Sequence, residues 1–306
     1  MFARLFCWIM ASALLVAAPR ALAEDGYDLW LRNAPADAAA AQQIGANARS
    51  IVGEASPTLT IARRELQRGI AGLTGATVPL TATVQQGAIL LQSAAQQDKP
   101  SVPTDGLGAD GYAIRTMTVA GKPVTVIAGA TDVGVLHGAY AWLRLARTGA
   151  ALDRIDMRSA PRIGLRLLNH WDNLDGTVER GYAGQSIWDW WRLPDYKGPR
   201  YTDYARANAS LGINGTVLNN VNAKSDSLTA AYIAKAAALA DLFRPYGIKV
   251  YLSVKWTAPM ELDGLKSADP LDPAVAAWWK AKADEIYKAI PDFGGFLVKA
   301  NSEGQP

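Results

Sequence analysis

Short elements of mixed type fill the first half of the chain. In SPTLTIARRELQRGIAGLTG the apolar residues recur at helical spacing, with Ser56 placed to cap the helix and Gly75 to end it. AILLQS is typical of a buried strand, and GYAIRTMTVAGKPVTVIAGA alternates like two strands around a Gly-Lys turn. TDVGVLHGAYAWLRLAR predicts a helix that Thr131 or Asp132 could cap. These patterns predict a small α+β domain over residues 24–160, a sheet with helices on one side.

A different pattern follows the linker RSAPRIG. Four apolar runs end in polar residues, and helical patterns separate them: IGLRLLNHWDN, GINGTVLNNVN, IKVYLSVKWTAP and GGFLVKANSEG. Alternating strands and helices predict a parallel sheet. Polar strand ends are typical of a (β/α)8 barrel, which keeps its active site at the carboxyl ends of its strands. The prediction for residues 161–306 is therefore the first half of a (β/α)8 TIM barrel, with an open doubly wound sheet as the alternative.

The length of this second part raises a question about completeness. A closed barrel needs about 250 residues, whereas roughly 145 follow the linker. Half a barrel would leave an open sheet edge and uncovered apolar surface. We therefore expect that the chain is truncated and that it is an N-terminal fragment of a longer protein.

The first 23 residues have the pattern of a cleaved secretory signal. The basic start MFAR precedes LFCWIMASALLVAAP, which is shorter than a typical membrane span, and small residues precede Glu24. We expect a signal peptide over residues 1–23, export to the periplasm or the medium, and no membrane attachment after cleavage. An uncleaved anchor is the alternative. Cys7, the only cysteine, lies inside this signal, so the mature protein is expected to have no disulfide.

Composition and motifs exclude several classes of function. Charged residues make up 19% of the chain, its formal net charge is +3, and its basic residues are dispersed, so no nucleic-acid partner is expected. The sequence has no glycine fingerprint after a strand, no paired histidines and no G-x-S-x-G motif, so we predict neither a metal nor a cofactor. His137, among apolar residues on a predicted helix, is interpreted as a structural residue.

The candidates for chemistry are aromatic, cationic and acidic residues near the predicted strand ends. Five tryptophans lie in or near these loops: Trp171, Trp188, Trp190, Trp191 and Trp256. Indole faces stack on sugar rings, and we favour ligand contact for Trp171, with loop anchoring as the alternative. Glu303 beside such residues suggests glycoside hydrolysis, which uses two carboxyl groups. Lys299 shares its side of the strand with Glu303 and could bind an anionic substrate group or form an ion pair.

Four segments carry a resemblance to a known family. In chain order they are EDGYDLWLR, LLNHWDNLDGTVERGYAGQSIW, GINGTVLNNVNA and GFLVKANSEGQP. They resemble glycoside hydrolase family 67, the xylan α-glucuronidases. The resemblance implies an α+β N-terminal domain, a central (β/α)8 barrel and a helical C-terminal domain involved in dimerisation. A homodimer is therefore expected for the full-length protein.

The resemblance also implies a reaction and a set of site residues. The reaction removes 4-O-methyl-D-glucuronic acid from xylooligosaccharides with inversion, so glucuronoxylooligosaccharides are the expected partners. Glu303 would be the general acid, Lys299 would bind the uronic carboxylate, Trp171 would line the sugar site and Val221 would face the 4-O-methyl group. The water-activating carboxylates of the family lie further along the barrel. The fragment is therefore expected to be inactive alone, because inversion needs a base on the opposite face of the ring.

Two alternatives remain at this stage. A family 20 β-hexosaminidase has a similar two-domain start, but such enzymes use an Asp-Glu pair at the fourth strand end, where this sequence has Ser302 and Glu303. A non-catalytic remnant that binds xylooligosaccharides without turnover is the other alternative. It is disfavoured because half a barrel is expected to fold poorly.

Overall fold

The computed structural model describes residues 25–95 and 101–299 of the chain. Residues 25–32 belong to a separate short unit and contain a 3-10 turn at Leu29–Leu31. The described residues from Asn33 onward belong to a second compact unit that contains two β-sheets. The predicted signal peptide and Glu303 lie outside the described residues.

The first sheet is mixed. Its strands are β1 (Ser50–Val52), β2 (Leu80–Thr81), β3 (Ala88–Ser93), β4 (Tyr112–Val119), β5 (Lys122–Gly129) and β6 (Asp156–Ser159). They lie in the order β2-β1-β3-β5-β4-β6, and only β4 runs antiparallel to its neighbours β5 and β6. The predicted hairpin is confirmed as β4 and β5. Its turn residues are Ala120 and Gly121, which both have positive φ, so Lys122 begins β5 instead of lying in the turn.

Three helices accompany this sheet. They are α1 (Ala38–Asn47), α2 (Pro57–Thr74) and α3 (Asp132–Arg147). Helix α3 lies against β3, β4 and β5, α2 packs against α3, and α1 packs against α2. The predicted caps are confirmed: Ser56 accepts a hydrogen bond from a backbone N–H of α2, and Thr131 does the same for α3. A Cβ at Gly138 of α3 would lie 2.5 Å from Ile127 of β5, so a glycine is needed where helix and sheet touch.

The opposite face of the sheet is covered by the segment between β3 and β4. Val102 and Leu107 of this segment join the buried apolar cluster on that face. The end of the same segment fixes His137 of α3, because the backbone oxygen of Asp110 lies 2.9 Å from the imidazole Nδ1. His137 is buried, and this burial lowers the pKa of its imidazole. The buried, hydrogen-bonded environment of His137 agrees with the structural role predicted for it.

The second sheet is entirely parallel. Its strands β7 (Leu167–Asn169), β8 (Gly215–Val217), β9 (Lys249–Ser253) and β10 (Gly295–Leu297) lie side by side in chain order. Between them come the helices α4 (Pro199–Ser210), α5 (Ala230–Phe243), α6 (Ala258–Asp263) and α7 (Pro273–Ala289). The four predicted strands are confirmed, and the short α6 was not predicted. In the part of the chain described here, no helix has the length and apolarity to cross a membrane.

A buried ion pair joins the helices of the two sheets. Arg206 of α4 donates to both carboxylate oxygens of Glu65 on α2, at 2.6 and 3.0 Å. Both side chains are less than a tenth exposed. Asp203, one turn earlier on α4, lies 2.9 Å from the same guanidinium but is 38% exposed. The Glu65–Arg206 pair therefore fixes α4, and with it the second sheet, against the first.

Candidate functional site

Polar and aromatic residues gather at the carboxyl edge of the second sheet. His170, Trp171 and Asp172 follow β7, residues 219–222 follow β8, and Lys255 and Trp256 follow β9. Lys299 follows β10. Because all four strands are parallel neighbours, these residues lie along one edge of the sheet. The parallel arrangement thus assembles a candidate site from segments that are far apart in sequence.

Lys299 is hydrogen-bonded to the loop that carries Val221 on this edge. The Nζ of Lys299 donates to the side-chain oxygen of Asn222, the residue after Val221. This hydrogen bond links the ends of β10 and β8. Val221 is half-buried, and its carbonyl accepts a weak hydrogen bond from Ser253 at 3.5 Å. The structure therefore holds Lys299 against the residue that follows Val221, while the ligand roles of Lys299 and Val221 stay predictions.

The neighbouring asparagines fix the loop after β8. The side chain of Asn219 forms two hydrogen bonds of 2.9 Å with the backbone of Ser253, one to its N–H and one to its carbonyl. The backbone N–H of Asn220 donates to the carbonyl of Asp172 at 2.8 Å. The loops after β7, β8 and β9 are therefore tied together, which gives the edge a defined shape.

Trp171 lies directly after β7 and is 40% exposed. Its carbonyl accepts hydrogen bonds from the backbone N–H of Glu179 at 2.9 Å and from the side chain of Asn220 at 3.3 Å. The backbone of Trp171 is thus fixed while part of its indole faces solvent. That arrangement suits stacking on a sugar ring, and the contact itself stays a prediction.

The other tryptophans divide into two groups. Trp188 and Trp190 are buried, and the indole of Trp188 donates to the carbonyl of Leu218 at 3.0 Å. The sequence placed both near the strand ends, and the structure shows that their indoles pack in the core. Trp191 and Trp256 are 66% and 39% exposed, respectively. Proximity to a strand end in sequence does not decide which way an indole points.

A chain of hydrogen-bonding groups lies behind Trp171. The Nε2 of His170 is 2.7 Å from the Tyr204 hydroxyl, which is 2.9 Å from the hydroxyl of Thr216. Burial raises the pKa of Tyr204, so this hydroxyl keeps its proton. The Nδ1 of His170 lies 3.5 Å from a carboxylate oxygen of Asp172. His170 and Asp172, the residues on either side of Trp171, therefore form contacts inside the protein. The sequence did not predict this structural role.

Asp172 also holds the far end of the loop that follows β7. One carboxylate oxygen accepts hydrogen bonds from the Ser186 hydroxyl at 2.5 Å and from the Ile187 backbone N–H at 2.8 Å. The side chain of Asp172 is almost completely buried. The sequence did contain a signal for the inward orientation of His170 and Asp172. Side chains alternate along an extended segment, so the side chains of these two residues lie on the opposite side from that of Trp171 between them.

Three groups around the end of β9 stabilise the carboxylate of Glu261 on α6. Lys255 lies 2.5 Å from it, and the hydroxyls of Ser225 and Thr257 donate to it at 2.7 and 2.8 Å. The hydrogen bonds from Lys255, Ser225 and Thr257 lower the pKa of Glu261 to about 2. This cluster fixes the backbone that carries Trp256.

Glu261 is expected to give the protein a small pH-dependent contribution to stability. A carboxylate with a lowered pKa stabilises the fold above its unfolded pKa of about 4.3, and the contribution is lost as the pH falls towards 2. The side chain is 41% exposed, so the contribution is about 1 kcal/mol or less. Urea unfolding of the wild type and Glu261→Gln at pH 6 and pH 3 should show a difference that shrinks at pH 3. An equal difference at both values would contradict this expectation.

Within the described ranges, no group of three histidine, cysteine or acidic residues could hold a metal ion. The described edge supplies Lys299, which is hydrogen-bonded to Asn222, and Lys255, which is paired with Glu261, together with partly exposed indoles and fixed asparagine side chains. These groups suit an anionic sugar derivative. Glu303, the predicted acid, follows Lys299 by four positions in sequence and lies outside the described residues.

Comparison with protein families gives two adjacent matches. The model described as the glycosyl hydrolase family 67 N-terminus matches residues 29–142. The model described as the glycosyl hydrolase family 67 middle domain matches residues 145–306. Together the two matches take in both sheets and the candidate site.

Curated relatives with similar sequences come from fungi. "Probable alpha-glucuronidase A" of Aspergillus clavatus is 37% identical over 306 residues, which is 97% of this chain and 36% of that protein. "Alpha-glucuronidase A" of Emericella nidulans is 38% identical over 317 residues, which is 98% of this chain and 36% of that protein. The chain therefore spans about a third of the length of these relatives.

Two solved structures show a similar fold. A GH138 enzyme targeting pectin rhamnogalacturonan II has a TM-score of 0.55 at 16% identity, covering 81% of this chain and 30% of that one. A family GH115 4-O-methyl-alpha-glucuronidase with specificity for decorated arabinogalactans has a TM-score of 0.54 at 13% identity. This match covers 85% of the present chain and 36% of that one. At such identities the likeness concerns the fold alone.

Proposed function

The chain belongs to glycosyl hydrolase family 67, and on this premise we propose that the full-length protein is an α-glucuronidase. It hydrolyses the α-1,2 link between (4-O-methyl-)D-glucuronic acid and xylose in xylooligosaccharides, with inversion. The consecutive family matches over residues 29–142 and 145–306 carry this proposal. The alpha-glucuronidase names of the relatives support it. The family 20 alternative has no comparable support.

We further propose that the second sheet is the first part of a (β/α)8 barrel over residues 161–306, after an α+β domain over residues 24–160. The four parallel strands follow chain order without the reversal that a doubly wound sheet has. The candidate site lies at their carboxyl ends, where such barrels keep their chemistry. A homodimer of the full-length protein is part of the same proposal.

In this proposal each site residue has one task. The ammonium of Lys299, held by Asn222, binds the carboxylate of the uronic acid. Trp171 stacks on a sugar ring, and Val221 contacts the 4-O-methyl group. Glu303 donates a proton to the leaving xylose oxygen. A carboxylate on the opposite face of the ring activates the water.

We also propose that the protein is exported. The pattern of residues 1–23 supports cleavage before Glu24 and delivery to the periplasm or the medium. Xylan and its soluble fragments are polymers and oligomers outside the cell, so an exported enzyme would meet its substrate there.

Replacing Lys299 with alanine is expected to weaken substrate binding in the full-length protein. A hydrogen bond between charged groups contributes about 1.5–3 kcal/mol, which corresponds to a KM about 10- to 150-fold higher. The effect should fall mainly on KM, because the uronic carboxylate is not the reacting group. The assay is steady-state release of glucuronic acid from an aldouronic oligosaccharide.

The matched control is Lys280→Ala. Lys280 is an exposed lysine of α7 paired with Asp284, away from the strand ends. Its replacement should leave KM unchanged. A wild-type KM for Lys299→Ala would remove Lys299 from the proposed role. Binding of the oligosaccharide by wild-type protein without hydrolysis would instead favour the non-catalytic alternative.

A further inference from the structure

Glu179 lies in the loop between β7 and α4, hydrogen-bonded to the ends of two strands. Its backbone N–H donates to the carbonyl of Trp171 at 2.9 Å. Its carbonyl accepts from the side-chain amides of Asn173 at 2.8 Å and Asn220 at 3.2 Å. Glu179 is therefore fixed at the carboxyl edge of the sheet, one backbone hydrogen bond from Trp171.

The backbone of Glu179 is strained. Its φ is +58°, in the left-handed region that glycine enters readily and other residues enter at a cost. Non-glycine residues held in this region are concentrated at functional sites. The next residue but one, Gly181, also has a positive φ of 94°. A glutamate where glycine would fit more easily indicates that the side chain serves a purpose.

The carboxylate of Glu179 is incompletely paired. The side chain is only 13% exposed, and Oε1 lies 3.5 Å from the Nε of Arg180. Its other oxygen, Oε2, is buried and accepts no hydrogen bond from any residue in the ranges 25–95 and 101–299. Buried polar atoms nearly always have a partner, since an unpaired one is costly. A carboxylate oxygen can only accept, so the missing partner is a donor.

We propose that Glu179 is a substrate-binding residue whose Oε2 accepts a hydrogen bond from a sugar hydroxyl beside Trp171. This inference rests on the proposed function, which brings a hydroxyl-rich ligand to this edge. A metal ion is a poorer occupant, because the described residues offer no group of three suitable ligands. Protein atoms cover Oε2, so binding of the hydroxyl requires neighbouring side chains to move.

The test separates this role from a structural one. In the full-length protein Glu179→Gly removes the carboxylate and relieves the strained φ, so the midpoint of thermal unfolding should stay equal or rise by a few degrees. With an aldouronic oligosaccharide as the probe, KM should rise about tenfold or more, as expected for a lost hydrogen bond to a charged group. Glu179→Gln keeps one acceptor oxygen and should give a smaller rise in KM.

The control is Asp175→Asn in the same loop. Asp175 is exposed, and its carboxylate already accepts hydrogen bonds from the Thr177 backbone at 3.0 Å and the Thr177 hydroxyl at 2.7 Å. This variant should keep the wild-type KM.

The outcomes distinguish the inference from the proposed function. An active wild type with an unchanged KM in Glu179→Gly would overturn the role of Glu179 alone. A large drop in the unfolding midpoint of Glu179→Gly with a wild-type KM would also overturn this role, because Glu179 would then be a structural residue. If Glu179→Gly does not fold, a wild-type KM in Glu179→Gln overturns the inference and a raised KM supports it. An inactive wild type would overturn the proposed function and this inference with it.

Discussion

Replacing Glu65 with alanine is expected to lower the free energy of unfolding by about 3–5 kcal/mol, because removal of one partner of a buried ion pair leaves the other charge uncompensated. Arg206 is the charge left behind, and both side chains are less than a tenth exposed. Burial lowers the pKa of Arg206, but the hydrogen bonds that its guanidinium donates to Glu65 and Asp203 outweigh this effect, and the net pKa is raised. An arginine guanidinium is not deprotonated at neutral pH even when it is buried, so Arg206 stays charged when Glu65 is lost.

Urea unfolding at neutral pH measures this effect, and two variants serve as controls. Asp203→Ala removes the partner of Arg206 that is 38% exposed, and it should cost about 1 kcal/mol or less. The double variant Glu65→Leu with Arg206→Met removes both charges together, so most of the stability should return. A loss for Glu65→Ala no larger than that for Asp203→Ala would show that the pair does not fix the two sheets.

Replacing Glu303 with glutamine is expected to lower kcat/KM of the full-length protein by about 10²- to 10⁴-fold, because an amide has no acidic proton to give to the leaving xylose oxygen. As the general acid, Glu303 has to carry a proton at the working pH of the enzyme. The variant should also lose the alkaline limb of the pH profile, where the wild type loses this proton.

Glu285→Gln provides the matched control for this substitution. Glu285 lies on α7, is 40% exposed and pairs with Lys282. The same change of glutamate to glutamine there should leave kcat/KM and its pH profile unchanged. Undiminished turnover in Glu303→Gln would remove Glu303 from the role of general acid.

Helices and strands were predictable because their signals are local. The caps at Ser56 and Thr131 satisfy backbone N–H groups within three residues, which is why the sequence alone indicated where α2 and α3 begin. The parallel strands were predictable from apolar runs alternating with helical patterns. The turn of the hairpin was predicted one residue too late in the chain. Ala120 adopts a positive φ, which a sequence-based prediction expects of glycine before alanine.

Contacts between distant segments could not be predicted in the same way. Glu65 and Arg206 are 141 positions apart, and no local pattern indicates that they meet. Trp188 and Trp191 are three positions apart, yet one is buried and the other is 66% exposed. Glu179 looks like an ordinary surface residue in sequence, because neither its positive φ nor its unpaired oxygen has a compositional signal.

The most direct test of the proposed function is the stereochemistry of the product. Full-length protein is mixed with a 4-O-methylglucuronoxylooligosaccharide, and proton NMR follows the anomeric signals during the first minutes. Inversion of an α-link predicts that the β-anomer of 4-O-methylglucuronic acid appears first and that the α-anomer grows in later by mutarotation. Release of the α-anomer first, or no release of the uronic acid, would contradict the account.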